Sequence, residues 1–220
     1  MNFQDWFELF QQQISHTSQI EWFAVGFGVS EVLLAKKNNI WLYPTGIISI
    51  LLGMFLLFKA NLYAEIILNI YYLVMSIYGW VIWKNRENHH HKEVLWSTKK
   101  ELFIAMFISV IGFGIFYFAL INLPEHFVFN KTDIYFTKSD VPFADAFVSA
   151  FAWAGMWLLA RRKIENWIFL NISNIVAIPL LIHKKYVLMG CLTTFLFVVA
   201  IFGFLDWKKI INKNKLDLAV

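Results

Sequence analysis

Charge is scarce in this chain: Asp, Glu, Lys and Arg make up 15% of its 220 residues, against about a quarter in ordinary soluble domains. So few charges cannot keep a chain this apolar in water, which excludes a soluble enzyme or binding domain. Cysteine occurs once, at Cys191, so no internal disulfide can form, and the residue is expected to serve as a small packing group. No Gly-rich phosphate-cradling loop, no G-x-S-x-G elbow and no H-E-x-x-H pair is present. Their absence argues against an ATP-driven pump or an intramembrane hydrolase, and the chain is read as a non-enzyme without cofactor or metal. His89, His90 and His91 have no acidic or cysteine partner at ligand-like spacing, so they are expected to be solvated loop. The first nineteen residues contain no Lys or Arg and are not expected to be a cleavable signal peptide.

What the chain does have is apolar surface: 59% hydrophobic and 19% aromatic residues. Runs able to cross a hydrocarbon core, which takes about 20 residues each, lie near 20–35, 40–58, 62–83, 102–123, 141–160, 164–182 and 186–205. Ahead of them, Phe3, Trp6, Phe7, Phe10 and Ile14 share one helical face, as in an amphipathic helix lying at the membrane surface against lipid. Lys and Arg are sorted by side. Fourteen fall on one side: Lys36, Lys37, Lys84, Arg86, Lys92, Lys99, Lys100, Arg161, Arg162, Lys163, Lys208, Lys209, Lys213 and Lys215. Lys59, Lys131, Lys138, Lys184 and Lys185 fall on the other. The positive-inside rule places the richer side in the cytoplasm, giving an external (periplasmic) N-terminus and a cytoplasmic C-terminus. The net charge of +4 therefore reports topology and implies no nucleic-acid partner.

The chain also repeats itself. Ile77-Tyr78-Gly79-Trp80-Val81-Ile82-Trp83-Lys84 returns 124 positions later as Ile201-Phe202-Gly203-Phe204-Leu205-Asp206-Trp207-Lys208. Leu33-Leu34-Ala35-Lys36-Lys37 is echoed by Leu158-Leu159-Ala160-Arg161-Arg162, and Trp41 by Trp167, at nearly the same shift. The expected architecture is all-α, with seven transmembrane helices in a 3+1+3 arrangement. Its parts are an amphipathic segment 1–19, a first repeat 20–83, a cytoplasmic loop 84–101, a connector 102–123, a second repeat 141–207 and a cytoplasmic tail 208–220. Before Asn122 at its end, the connector's only polar side chains are Ser109 and Tyr117. One connecting helix makes the second triplet re-enter in the same direction, so the repeats are parallel.

Polar groups inside a bilayer are costly and tend to line a path. In the third span Glu65, Asn69, Tyr72, Ser76 and Trp80 recur at spacings of three or four, one helical face. Asp145, Ser149 and Trp153 form a stripe in the fifth span, and Trp167, Asn171 and Asn174 another in the sixth. The second contributes Tyr43, Thr45 and Ser49, with Pro44 and Gly46 marking a distortion and Pro179 a comparable one in the sixth. Interhelical hydrogen bonding is the competing explanation for any single Ser or Thr. A cavity lined by Trp, Tyr, Asn and a carboxylate such as Glu65 or Asp145 suits a flat, polar, cationic aromatic molecule, each ring contributing about 0.5 to 2 kcal/mol.

Asn61-Leu62-Tyr63-Ala64-Glu65 through Asn69 to Tyr78-Gly79-Trp80-x-x-Trp83, then Asp145, then Arg161-Arg162-Lys163-Ile164-Glu165-Asn166-Trp167 strongly resemble the PnuC family of bacterial vitamin transporters over about residues 20–209. The resemblance implies a SWEET-like fold, facilitated diffusion of nicotinamide riboside or, in a related branch, thiamine, and a homo-oligomer, in the form of a trimer, in the inner membrane. Leu170 departs from the family's Trp-x-x-Trp-x-x-x-Asn pattern, of which Trp167 and Asn174 hold the ends. Nicotinamide riboside is the first expectation and thiamine the alternative. A cation-coupled carrier using Glu65 and Asp145 is a further alternative.

Overall fold

The computed structural model describes residues 3–59, 63–88, 93–122, 126–129, 132–135 and 139–217. Each expected apolar run lies on a helix: α1 (Phe3–His16) precedes α2 (Gln19–Lys36), α3 (Leu42–Lys59), α4 (Tyr63–Asn88), α5 (Lys99–Asn122), α6 (Pro142–Ala160), α7 (Asn166–His183) and α8 (Val187–Asp217). Five of these, α3 and α5 to α8, are long and apolar enough to cross a membrane. α5 leaves Phe103, Phe107, Val110 and Phe118 each more than half exposed, an apolar surface suited to lipid and not to water. The chain is an all-α membrane protein.

Helix starts follow local chemistry. Ser18 caps α2, its hydroxyl accepting from the Glu21 amide while the Glu21 carboxylate accepts from the Ser18 amide. Thr98 and Glu101 make the same reciprocal pair at α5, which therefore begins at Lys99 instead of 102. α8 runs on to Asp217, since nothing after Trp207 breaks a helix. Pro44 sits in the first turn of α3, where a missing N–H costs nothing, so the expected distortion there is not needed; Pro179 does lie inside α7. A hairpin of β1 (His126–Phe129) and β2 (Thr132–Tyr135), which no apolar pattern announced, fills part of the α5–α6 connection. α1 is tied down by Gln13, whose amide donates to the Lys185 carbonyl and accepts from the Leu188 amide. Cys191 is exposed on α8 and does not pack as expected. His89, His90 and His91 lie outside the described residues.

α2 packs on α3 and α3 on α4; α6 packs on α7 and α7 on α8; the two sets meet through α2 with α8 and α4 with α6. Among the described residues α5 packs on α6 alone. Contacts recur at a shift of 124. The Ser49 hydroxyl donates to the Ala24 carbonyl at 2.8 Å, and the Ser173 hydroxyl to Val148 at 2.8 Å. Trp83 Nε1 donates to Leu159 at 3.3 Å, and Trp207 Nε1 to Ala35 at 2.9 Å. Tyr43 lies against Gly79 and edge-on to Trp83; Trp167 lies against Gly203 and edge-on to Trp207. The structural partner of Trp167 is thus Tyr43, not Trp41, which is exposed; and Ala35 matches Leu159, not Ala160. Two of the three sequence pairings were displaced by a residue or two.

The end of the bundle that carries the basic residues is closed by these rings. Arg162 is fully buried, stacked 3.8 Å over Trp83. The α6–α7 turn that holds it is bridged by the 93–98 segment: the Leu95 amide donates to the Arg162 carbonyl and the Leu95 carbonyl accepts from the Ile164 amide, and the Ser97 amide and hydroxyl donate to the Glu165 carboxylate. Lys163 pairs with Glu101 at 3.0 Å and Arg161 with the same carboxylate at 3.2 Å. Burial alone would raise the Glu101 pKa, but the Thr98 amide, the Lys163 ammonium and the Thr98 hydroxyl together outweigh it and bring it down to about 2.

Candidate functional site

A cavity of about 410 Å³ opens between α2, α3, α4 and α8, within the usual range of about 300–1,000 Å³ for small-molecule sites. Its polar lining is Glu31, Ser49 and Asn69, one from each of three helices. Room comes from missing side chains: Gly28 faces the Ser49 hydroxyl, and Gly53 has nothing within 4 Å of where a Cβ would stand. Among the described residues neither Lys nor Arg lines the cavity.

Of the residues expected to bind cargo, Asn69 lines this cavity. Tyr72 and Ser76 follow it on α4; Tyr72 sits edge-on to Tyr71 at 5.9 Å, and Ser76 is wholly buried, its hydroxyl without a hydrogen-bond partner among the described residues. Trp80 does not continue the stripe. It is 39% exposed on the outer face, and the buried position is taken by Gly79. The expected face turns at Gly79 because four-residue steps from Ser76 overrun a helix of 3.6 residues per turn. The side chain of Glu65 is outside the described residues.

α7 presents its polar groups to a different space. Trp167 and Asn171 border a second hollow of about 300 Å³ against α8, walled by Ile168, Ile175 and Ile201, which are themselves exposed. Asn174 reaches Asn171 at 3.5 Å, the outer limit of a hydrogen bond. Trp167 is buried, and its Nε1 has no partner among the described residues; the Tyr43 hydroxyl is in the same condition. On α6, Asp145 is committed: it accepts from the Ser139 hydroxyl and pairs with Lys184 at 2.5 Å. Ser149 is partly buried, and Trp153 stacks on Tyr71 at 4.1 Å, with the Tyr71 hydroxyl donating to its carbonyl. Thr45 spends its hydroxyl on its own helix, at Trp41 and Leu42. The nine expected residues are therefore spread over an inner cavity, an aromatic closure, a groove and a helix end.

Sequence reading passed over Glu31, the carboxylate of the cavity. Its signal was available: an acidic residue deep inside an apolar run, which a bilayer tolerates only for a reason. Motif residues Arg161, Arg162, Lys163, Glu165 and Asn166 all bond within the α6–α7 turn or to the elements around it and so act as scaffold.

An all-α membrane body that holds a carboxylate and an amide in a cavity between helices has the architecture of a membrane transport protein. The family described as "Nicotinamide mononucleotide transporter" matches residues 18–209, and the chain belongs to that family. It is similar to proteins named "Nicotinamide riboside transporter PnuC" from Escherichia coli K12 and from Shigella flexneri, each 21% identical over 187 residues, covering 79% of this chain and 78% of the relative. A solved structure, "Crystal structure of the Vitamin B3 transporter PnuC", superposes with a TM-score of 0.65 at 19% identity, over 94% of this chain and 90% of that one. That likeness speaks to the fold.

Proposed function

We propose that this chain is a uniporter that carries nicotinamide riboside across the bacterial inner membrane by facilitated diffusion. The observation that carries the reading is the cavity lined by Glu31 and Asn69 with no basic residue among the described residues. A mononucleotide would bring its phosphate against that carboxylate, with nothing cationic to receive it; the riboside is a net cation. The names of the relatives favour the riboside over thiamine. Asn69 and Ser49 suit the ribose hydroxyls and the carboxamide, both of which need paired donors and acceptors once desolvated. Tyr72, Ser76, Trp167, Asn171 and Asn174 are assigned to the path the cargo follows as the two halves move.

The mechanism rests on two parallel three-helix units, α2–α4 and α6–α8, joined by α5 and rocking about the cavity. The contacts repeated at 124 residues support it. Lys and Arg sorting supports a periplasmic N-terminus and cytoplasmic C-terminus. A homo-oligomer, a trimer by family resemblance, completes the assembly. Calorimetric titration of the purified protein with nicotinamide riboside, its mononucleotide and thiamine tests the cargo, and binding of the riboside alone is expected. Proteoliposomes should then equilibrate the riboside with no ion gradient; uptake that requires a proton gradient would replace uniport with coupled transport.

A further inference from the structure

We infer that Glu31 is the counter-charge that recognises the permanent cation of the cargo, a role the sequence assigned to Glu65 or Asp145. This rests on the proposed transport of a cationic riboside.

Among the described side chains of the bundle, the other carboxylates are occupied. Asp145 pairs with Lys184, Asp206 with Lys36, Glu101 with Lys163 and Arg161, and Glu165 accepts from Ser97. Glu31, in the middle of the apolar α2, has no hydrogen bond or ion pair to any described residue and faces the cavity that holds Ser49 and Asn69. A carboxylate in that setting lacks a counter-ion and is matched by one that arrives with the cargo.

The second half of the molecule shows that the fold does not require a charge there. The Glu31 carboxylate rests on Gly46, where an added Cβ would come within 2.5 Å of it. Adding 124 to each number gives Gly155 and Leu170, and these two also touch, the leucine lying 2.8 Å from where a Cβ on Gly155 would stand. One helix crossing is filled by a leucine and its counterpart by a glutamate. Packing is satisfied by either, so the charge in the first half answers to something other than packing. The asymmetry also gives the cargo an orientation, with its cationic ring toward α2 and α3.

The test compares nicotinamide riboside with its reduced dihydropyridine form, which keeps the ribose and the carboxamide but has no charge. The wild-type protein is expected to bind the cation at least tenfold more tightly than the neutral form, and Glu31→Gln to bring the two within about threefold. Asp145→Asn should leave the wild-type ratio in place. A preference that survives in Glu31→Gln, or is absent from the wild type, overturns the inference while leaving riboside transport standing; failure of the wild type to bind either form overturns both. Labelling of the unmodified protein with dicyclohexylcarbodiimide, mapped by mass spectrometry, asks the same question without a substitution. Labelling of Glu31 should slow in saturating riboside and not in the dihydro form, and equal labelling under both conditions overturns the assignment.

Discussion

Arg162 donates from Nε to the side-chain oxygen of Asn38 at 3.0 Å, and the two residues, 124 apart in the chain, both take left-handed backbone conformations, with φ of 59° and 51°. Each ends the turn that follows a helix, Asn38 after α2 and Arg162 after α6. Asn is at home in that conformation; a long charged residue is not, and it is held there by what its side chain gains. The guanidinium stacks on Trp83 while its Nε is bonded across the interface of the two halves.

Arg162→Ala is therefore expected to destabilise the protein by on the order of 2–4 kcal/mol, combining a desolvated cation–π contact with a buried charge-assisted bond. Arg162→Lys should recover little of it, because an ammonium on a flexible stem cannot both stack and reach Asn38. Thermal unfolding in detergent, followed by tryptophan fluorescence, checks both; a Lys variant as stable as wild type would place the stabilisation in the charge alone.

The glycines of the repeated motif make a second prediction. A Cβ on Gly79 would come within 2.5 Å of the Tyr43 ring, and one on Gly203 within 2.7 Å of the Trp167 indole. Both rings are buried and cannot move aside, so Gly79→Ala and Gly203→Ala should each cost about 1–3 kcal/mol through overpacking. Gly26→Ala and Gly114→Ala, with nothing within 4 Å, should be neutral or gain up to about 1 kcal/mol of helix stability. Parallel melting curves of the four variants distinguish a packing role from a simple preference for flexibility.

Helices were the legible part of this chain, because a bilayer demands long apolar runs and these runs have few competitors. Their ends were less legible. α7 begins at Asn166 because Ile164 is paired with Leu95, a contact far apart in sequence that no periodicity displays. The repeat was visible in Gly79 and Gly203, where shape leaves one residue type, and blurred at Trp41, where a lipid-facing aromatic imitates the buried position of Tyr43. The site was least legible. Polarity marks Asn69, Trp167 and Asp145 alike, yet one lines the cavity, one closes the bundle and one is neutralised by Lys184.

Glu101 supplies a pH dependence. Its carboxyl lies well below the ordinary value of 4.5, at about 2, so the folded state binds its proton less readily than the unfolded chain. The stabilisation it provides is complete above about pH 4.5 and is lost as pH falls toward 2. The melting temperature of the wild type should exceed that of Glu101→Gln by a constant margin from pH 7 to pH 5 and converge on it below. A margin unchanged at pH 3 would mean that the Lys163 and Arg161 contacts act without the carboxylate's charge.

Asn69 and Trp167 were both expected to bind cargo, and their surroundings separate the experiments that can test them. Asn69 lines an open cavity, so Asn69→Ala removes a hydrogen-bonding group without leaving a void in packed protein. Riboside affinity is expected to fall by about tenfold, near the 1.5 kcal/mol of one lost hydrogen bond. Trp167 is 1% exposed and packs on Trp207 and Gly203, so Trp167→Ala would empty a core position at a cost of about 3–5 kcal/mol and report on folding instead of binding. Trp167→Phe keeps an aromatic ring in the closure and removes Nε1, whose bond is unmade among the described residues. If that donor meets the cargo as the closure opens, the Phe variant should show equilibrium binding close to wild type and slower proteoliposome uptake. Equal uptake rates would assign Trp167 to packing, alongside its structural counterpart Tyr43.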